Sequence, residues 1–483
     1  MKRFYFLLSA AVLLGALTGC QKDPVAEKQG ELTNAYIEFS LNFDGDQMTK
    51  ADYEADTDPD ADGIQTPGTD VGTADEHKVK TAVFYFFKKD DNKFVKSIEV
   101  SETKITSAIS DENHVKKTTV PTKLETGTYN VYATINQNFD NNNNLAGKTE
   151  AQFCSMTSEF TPVTIIPDTG LPMSSRRNDG VMSCAVTISD ANTFENPAKV
   201  SLYMERSNAK ISMTNNAKSN ISEATVTLTG YKVVNLTEKT NVFRQVGTVD
   251  KDGKLGTLSY GPVTENANQV VDPETSMKVA YTDKMPGNIN FSNKVNINDA
   301  YTAMPSGTGM NTLIYCNENV MATENQLKTY ATAIAFKASI TPAADKCFVL
   351  SADAVVAGTY ASGDLWYFGG NFYGSIDALN KHNDLSLTAD NYKAFGAKCF
   401  VGGVCYYTYY IKHYDNFKPL ELGFMEYAIV RNNDYQVTIT EIKALGNDVP
   451  TVEPEQIEME ESYFQATLFV RPWTVRAQNA VLG

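Results

Sequence analysis

At 483 residues the chain is long enough for about two or three domains, each with a core of its own. Hydrophobic residues make up 42% and aromatic residues 11%, which excludes global disorder. The formal charge of −16 argues against nucleic acid or an anionic membrane face as a partner; acidity of this size mainly keeps an exported protein soluble.

The first twenty residues read as an export signal. Lys2 and Arg3 form a basic start, Phe4 to Ala16 an apolar stretch too short for a spanning helix, and Leu17-Thr18-Gly19-Cys20 matches a bacterial lipobox. Cys20 is therefore the expected acylated N-terminus of the precursor, held to the outer membrane by lipid alone. Residues 21–33 are polar and suit a tether. Next, Ile37, Phe39, Leu41 and Phe43 alternate with Tyr36, Glu38, Ser40 and Asn42, the period of a half-buried strand over 36–43. Met48-Thr49-Lys50-Ala51 follows, within an acidic stretch from Asp44 to Glu76 that has almost no large apolar residue. A trypsin-like protease cutting between Lys50 and Ala51 would remove the strand and leave an open apolar groove. Residues 21–50 are thus read as a propeptide.

Beyond the tract, Thr81–Phe87 and Thr128–Ile135 read as strands, and a helix is placed around 145–158. Val200 to Met213 begins a second β-rich series, continued by strands at 223–236, 330–340, 398–411, 427–442 and 463–475. Short strands set between turn residues favour sandwiches over βαβ units. The fold class is all-β, with an N-terminal sandwich over 51–198, a C-terminal sandwich over 199–446, and a linker plus terminal strand over 447–483. Pro450, Pro454 and a run of glutamates mark the linker as solvated. In the last strand Phe464, Ala466, Leu468 and Val470 alternate with Gln465, Thr467 and Phe469. Pro472 cannot donate to a ladder; it shifts the alternation and brings Trp473 and Val475 to the buried side. This strand, detached from its domain by the linker, is the one expected to fill the groove of a second copy.

No residue constellation for catalysis stands out: there is no G-x-S-x-G, H-E-x-x-H or Walker loop, and His77, His114, His382 and His413 are scattered in mostly polar, loop-like surroundings. Asp58 to Gly63 opens like a calcium loop, but Thr69 stands where the bidentate glutamate belongs, so no metal and no cofactor is assigned. Cys154, Cys184, Cys316, Cys347, Cys399 and Cys405 form no C-x-x-C and read as free, buried thiols. Gly402-Gly403 reads as a two-residue hairpin turn between Cys399 and Cys405. Tyr406, Tyr407, Tyr409 and Tyr410, with Trp366-Tyr367 and Phe372-Tyr373, support an alternative: a monomeric glycan-binding surface lipoprotein.

Several segments resemble the Bacteroidales fimbrillins, or type V pilins. Val430-Arg-Asn-Asn-Asp-Tyr435 is similar to their "VRNN-x-Y" strand entry, Val404-Cys-Tyr-Tyr407 to "V-x-Y-Y", and Glu205-Arg-Ser-Asn-Ala-Lys210 to "ERS-x-A-R/K". Lys443-Ala-Leu-Gly446 and Arg471-Pro-Trp-Thr-Val475 resemble the closing signatures; about 240–320 matches little. By pattern the resemblance is strongest to the shaft subunit of the minor (short) fimbriae. It implies two transthyretin-like sandwiches, a lipoprotein precursor, proteolytic maturation and strand exchange in a fimbria that serves adhesion and biofilm formation. The implied partners are other copies, accessory fimbrial subunits, and host or bacterial surface ligands. Better-known members are cut after arginine, whereas the matching position here is Lys50. Lys22 and Lys28 lie upstream of the strand, so only a cut at Lys50 would remove it.

Overall fold

The computed structural model describes residues 35–42, 72–111, 114–141, 144–175, 184–250, 252–258, 263, 267–278, 300–307, 309–413, 416, 418, 421–450 and 464–472. In chain order the first strands are β1 (Ala35–Asn42), β2 (Thr81–Lys88), β3 (Phe94–Ser101), β4 (Ile105–Asp111), β5 (His114–Thr119), β6 (Thr122–Leu124) and β7 (Gly127–Ile135). Helix α1 (Glu150–Cys154), β8 (Thr157–Glu159), β9 (Met173–Ser175), β10 (Cys184–Ile188) and β11 (Ala198–Arg206) complete this half. All its strands except β8 join one sheet in the order β3-β2-β7-β9-β11-β1-β5-β4, with β10 on β7 and β6 on β1.

The sheet closes over its own core. Phe39 of β1 meets Phe84 of β2 although several strands separate them in the ladder. β2 reads as a continuous apolar run because both its faces are buried. Ala82, Phe84 and Phe86 face the core shared with β1 and β11; Val83, Tyr85 and Phe87 join Phe153 of α1 and Phe243 in a second cluster.

The second half takes β12 (Ala209–Ser219), β13 (Ala224–Val234), β14 (Lys239–Asn241), β15 (Gln245–Gly247), β16 (Gln269–Val271), β17 (Thr302–Ala303), β18 (Asn311–Cys316) and β19 (Ala333–Pro342). After them come β20 (Cys347–Ser351), β21 (Ala354–Ala357), β22 (Leu365–Phe368), β23 (Asn371–Tyr373), α2 (Ile376–Asn383), β24 (Lys398–Phe400), β25 (Val404–Tyr410), β26 (Asn433–Ile442) and β27 (Phe464–Pro472). Sheets β18-β12-β26-β27 and β17-β13-β19-β25 face each other over one core that includes Ile211, Met213, Phe336, Ile340, Val437 and Ile439. Between β19 and β25 the chain inserts the sheet β21-β20-β23-β22-β24 with α2 against it. The protein is all-β in class, as the alternating patterns indicate.

Four local readings are corrected. The helix placed over 145–158 is the five-residue α1 alone. Gly147, at φ +75°, interrupts the chain before it, and Thr149 starts it with a capping box to Gln152. The second β series does not run unbroken from Val200 to Met213: β11 stays in the first sheet, where Ala198, Val200, Leu202 and Met204 serve the β1 core, and the chain changes sheet over Ser207 and Asn208. Gly402 and Gly403 have the positive φ that a tight hairpin needs, +65° and +69°, yet they turn a corner. β24 pairs with β22 and β25 with β19, so Cys399 and Cys405 belong to different sheets. His413 lies in a bend between strands, as expected, but its surroundings are not a solvated loop: it is buried with Nδ1 2.8 Å from Tyr435 Oη.

Cys154, Cys316, Cys347, Cys399 and Cys405 are buried, Cys184 is half-buried, and all six are free thiols. Among the described residues no helix is long and apolar enough to cross a membrane, and no group of three potential ligands gathers to hold a metal ion. The calcium-like stretch 58–69 lies outside the described residues.

Candidate functional site: the slot of the first strand

β1 is an interior strand. On one side it pairs in parallel with β11, from Ile37 opposite Ala198 to Asn42 opposite Tyr203. On the other it pairs antiparallel with β5 over Ser40–Asn42 and with β6 over Ala35–Ile37. Ala35, Ile37, Phe39 and Leu41 are each 0% exposed, whereas Tyr36 and Glu38 on the other face are half-buried. The Phe39 ring lies 3.6 Å from Phe84, stacked at 11°, and 6.0 Å edge-on from Phe86. Its backbone N–H donates to Thr119 Oγ1 at 3.1 Å, and Tyr36 N donates to Asn192 O at 2.9 Å. Full burial of each large side chain contributes about 1.5–3 kcal/mol. Phe43 lies outside the described residues, as do Cys20, Lys50 and Ala51.

Phe39 is the bulkiest plug in this slot. Phe39→Ala is expected to destabilise the full-length protein by about 3–5 kcal/mol, the usual cost of truncating a buried phenylalanine. Urea denaturation of the purified full-length protein checks it; a loss under about 1 kcal/mol would mean the slot collapses around the missing ring.

The terminal strand lies elsewhere. β27 pairs antiparallel with β26 as the edge of the second sandwich, Leu468 opposite Val437, Ala466 opposite Ile439, Val470 opposite Tyr435 and Phe464 opposite Ile442. Those β26 residues are all in the core. The strand expected to stand apart from its domain therefore extends that domain's own sheet. Asn447, at the start of the expected linker, bridges Tyr406 through two 2.9 Å backbone hydrogen bonds; residues 451–461, Trp473 and Val475 lie outside the described residues.

Between slot and terminal strand sits a buried polar knot. Arg431, fully buried, sets Nη2 2.7 Å from Glu318 Oε2 and donates to Asn241 O at 2.6 Å and Val242 O at 3.3 Å. Asn432, at φ +58°, accepts from Arg206 N and donates its own N–H to Asn208 O. Arg206 Nε reaches Glu76 O at 2.8 Å. Tyr435 Oη accepts from Val430 N at 2.8 Å, and burial pushes this phenol well above its ordinary range. Segments 205–210 and 430–435, noted in sequence as signatures, are thus partners across the junction of the two sandwiches. The available sequence signal was runs of polar residues entering strands without alternation. Of the aromatic candidates, Tyr407 is buried and Tyr406, Tyr409, Tyr410, Trp366 and Tyr367 are half-buried, the two faces of packed strands.

Residues 398–479 match the family described as "Major fimbrial subunit protein type IV, Fimbrillin, C-terminal". Among solved structures, a fimbrilin (FimA) from Porphyromonas gingivalis W83 is similar at 14% identity over 92% of this chain and 99% of its own, with a TM-score of 0.43. A cell adhesion protein from Parabacteroides distasonis ATCC 8503 is similar at 13% identity over 93% and 100%, also with 0.43. The tip fimbrial protein Mfa3 from Porphyromonas gingivalis is similar at 9% identity over 91% and 100%, with 0.37. No protein of curated function matches the chain. The family match supports a fimbrial subunit.

Proposed function

We propose that this protein is a structural subunit of a surface fimbria, made as an outer-membrane lipoprotein acylated on Cys20 and matured by cleavage between Lys50 and Ala51. Maturation removes β1, and the vacated slot takes the terminal strand of another copy, through Phe464, Ala466, Leu468, Val470, Trp473 and Val475. The same slot could take an accessory subunit's strand. Adhesion to host or bacterial surfaces and biofilm formation follow from the fibre, and its place is that of a shaft subunit like those of minor fimbriae. The observation that carries the reading is β1 itself: an interior strand with one face fully buried, joined to the rest of the chain through an acidic tract that holds a basic residue. A soluble monomer would have no use for a core strand placed ahead of such a tract.

The test is the N-terminus of the protein recovered from the cell surface. Ala51 is expected. An acylated Cys20 on the surface-exposed, functional protein would overturn the reading and favour the glycan-binding lipoprotein.

A further inference from the structure

β12 opens the second sandwich and β26 closes it before the terminal strand; the two run side by side in parallel with Lys210 opposite Asp434. Lys210 Nζ is 3.1 Å from Asp434 Oδ2 and 3.2 Å from Glu76 Oε1. The side chains of Lys210, Asp434 and Glu76 are 8%, 1% and 0% exposed. Each carboxylate is fixed in place. Tyr315 Oη donates to Glu76 Oε1 at 2.7 Å and Thr73 N to Oε2 at 2.5 Å; Ser212 Oγ donates to Asp434 Oδ1 at 3.0 Å and Gln436 Nε2 to Oδ2 at 2.8 Å.

An amine and a carboxyl group held in contact away from water are the reactants of an amide condensation. Fixed geometry replaces the encounter of two separate molecules. A second carboxylate at the same nitrogen can carry protons. A guanidinium at position 210 would only pair with carboxylates, whereas the lysine present supplies a nucleophile.

We propose that Lys210 and Asp434 condense into an intramolecular isopeptide bond, with Glu76 as proton carrier. Glu76 takes a proton from Nζ, the neutral nitrogen attacks Asp434 Cγ, and a C–N bond forms. Glu76 returns that proton to the departing Asp434 oxygen and relays a second one from Nζ. The C–O bond breaks and one water leaves. Nζ has lost two protons and Asp434 one oxygen, the opposite charges have vanished, Glu76 is regenerated, and no oxidant or reductant is used. The bond ties the first strand of the second sandwich to its last, so tension entering through β26 is borne by a covalent link.

The test is mass spectrometry of the full-length folded protein and its tryptic digest. The expected intact mass is one water below the sequence mass. The expected digest contains a branched species joining Ser207–Lys218 to Asn432–Lys443, uncut after Lys210. Lys210→Arg keeps the charge and is expected to fold, as judged by circular dichroism, without branch or mass loss. Glu76→Gln is expected to leave both reactants in place and the branch absent. Separate Ser207–Lys210 and Asn432–Lys443 peptides of ordinary mass from the wild type would overturn the proposal and leave an ion pair. A branch formed as readily in Glu76→Gln would overturn the role of Glu76.

Discussion

Lys50→Ala is expected to leave an exported, lipid-anchored precursor that forms no fibres at all, a loss rather than a reduction. Ile37, Phe39 and Leu41 sit at zero exposure between β11 and the β5–β6 side, so an uncut β1 cannot be displaced from a slot to which it stays covalently joined. Any competing strand acts against an intramolecular one, whose covalent tether gives it a high effective concentration at the slot. Unheated surface extracts run on gels, with electron microscopy of the same cells, provide the measurement. Ladders as long as wild type would show that another bond is cut or that β1 need not leave.

Leu468→Asp is expected to act at the other end of the interaction with a similarly large effect. Leu468 shares one strand face with Phe464, Ala466 and Val470, and in register it stands opposite Val437, a core residue. A carboxylate carried into an apolar slot without a partner costs several kcal/mol, and each 1.4 kcal/mol is tenfold in an association constant. Gln465→Lys is the control, because alternation puts residue 465 on the opposite face and its register partner on β26 is Glu441. Ladders should vanish in the first variant and persist in the second. Persistence in Leu468→Asp would end the assignment of residues 464–470 as donor.

Much of the fold was legible from the alternation of apolar residues. β1 and β13 repeat it in their burial, β7 and β19 only in sequence, and the observed limits of all four lie within a few residues of the patterns. Legibility failed where structure depends on distant partners. Gly402-Gly403 carries a hairpin's backbone chemistry, but the choice between hairpin and corner is made by β22 and β19, which lie far apart in sequence. The sheet change over Ser207–Asn208 is hidden because β11 and β12 are both good strands, and only their pairing with β1 or β26 separates them. Glu76 offered no local sign of its role: it ends an acidic tract, yet it is fully buried beside Lys210 and Tyr315. The slot's occupant could be named from sequence; its neighbours on either side could not.

The slot belongs to the first sandwich and the terminal strand to the edge of the second. Surfaces that differ in this way join head to tail and do not close on a twofold axis. On the strand-exchange reading, a row of such copies is therefore directional. One extremity carries an unfilled slot and the other an unused strand, two chemically different ends that would call for two different terminators. Growth, anchoring and capping could then each be confined to one extremity without any further asymmetry in the subunit.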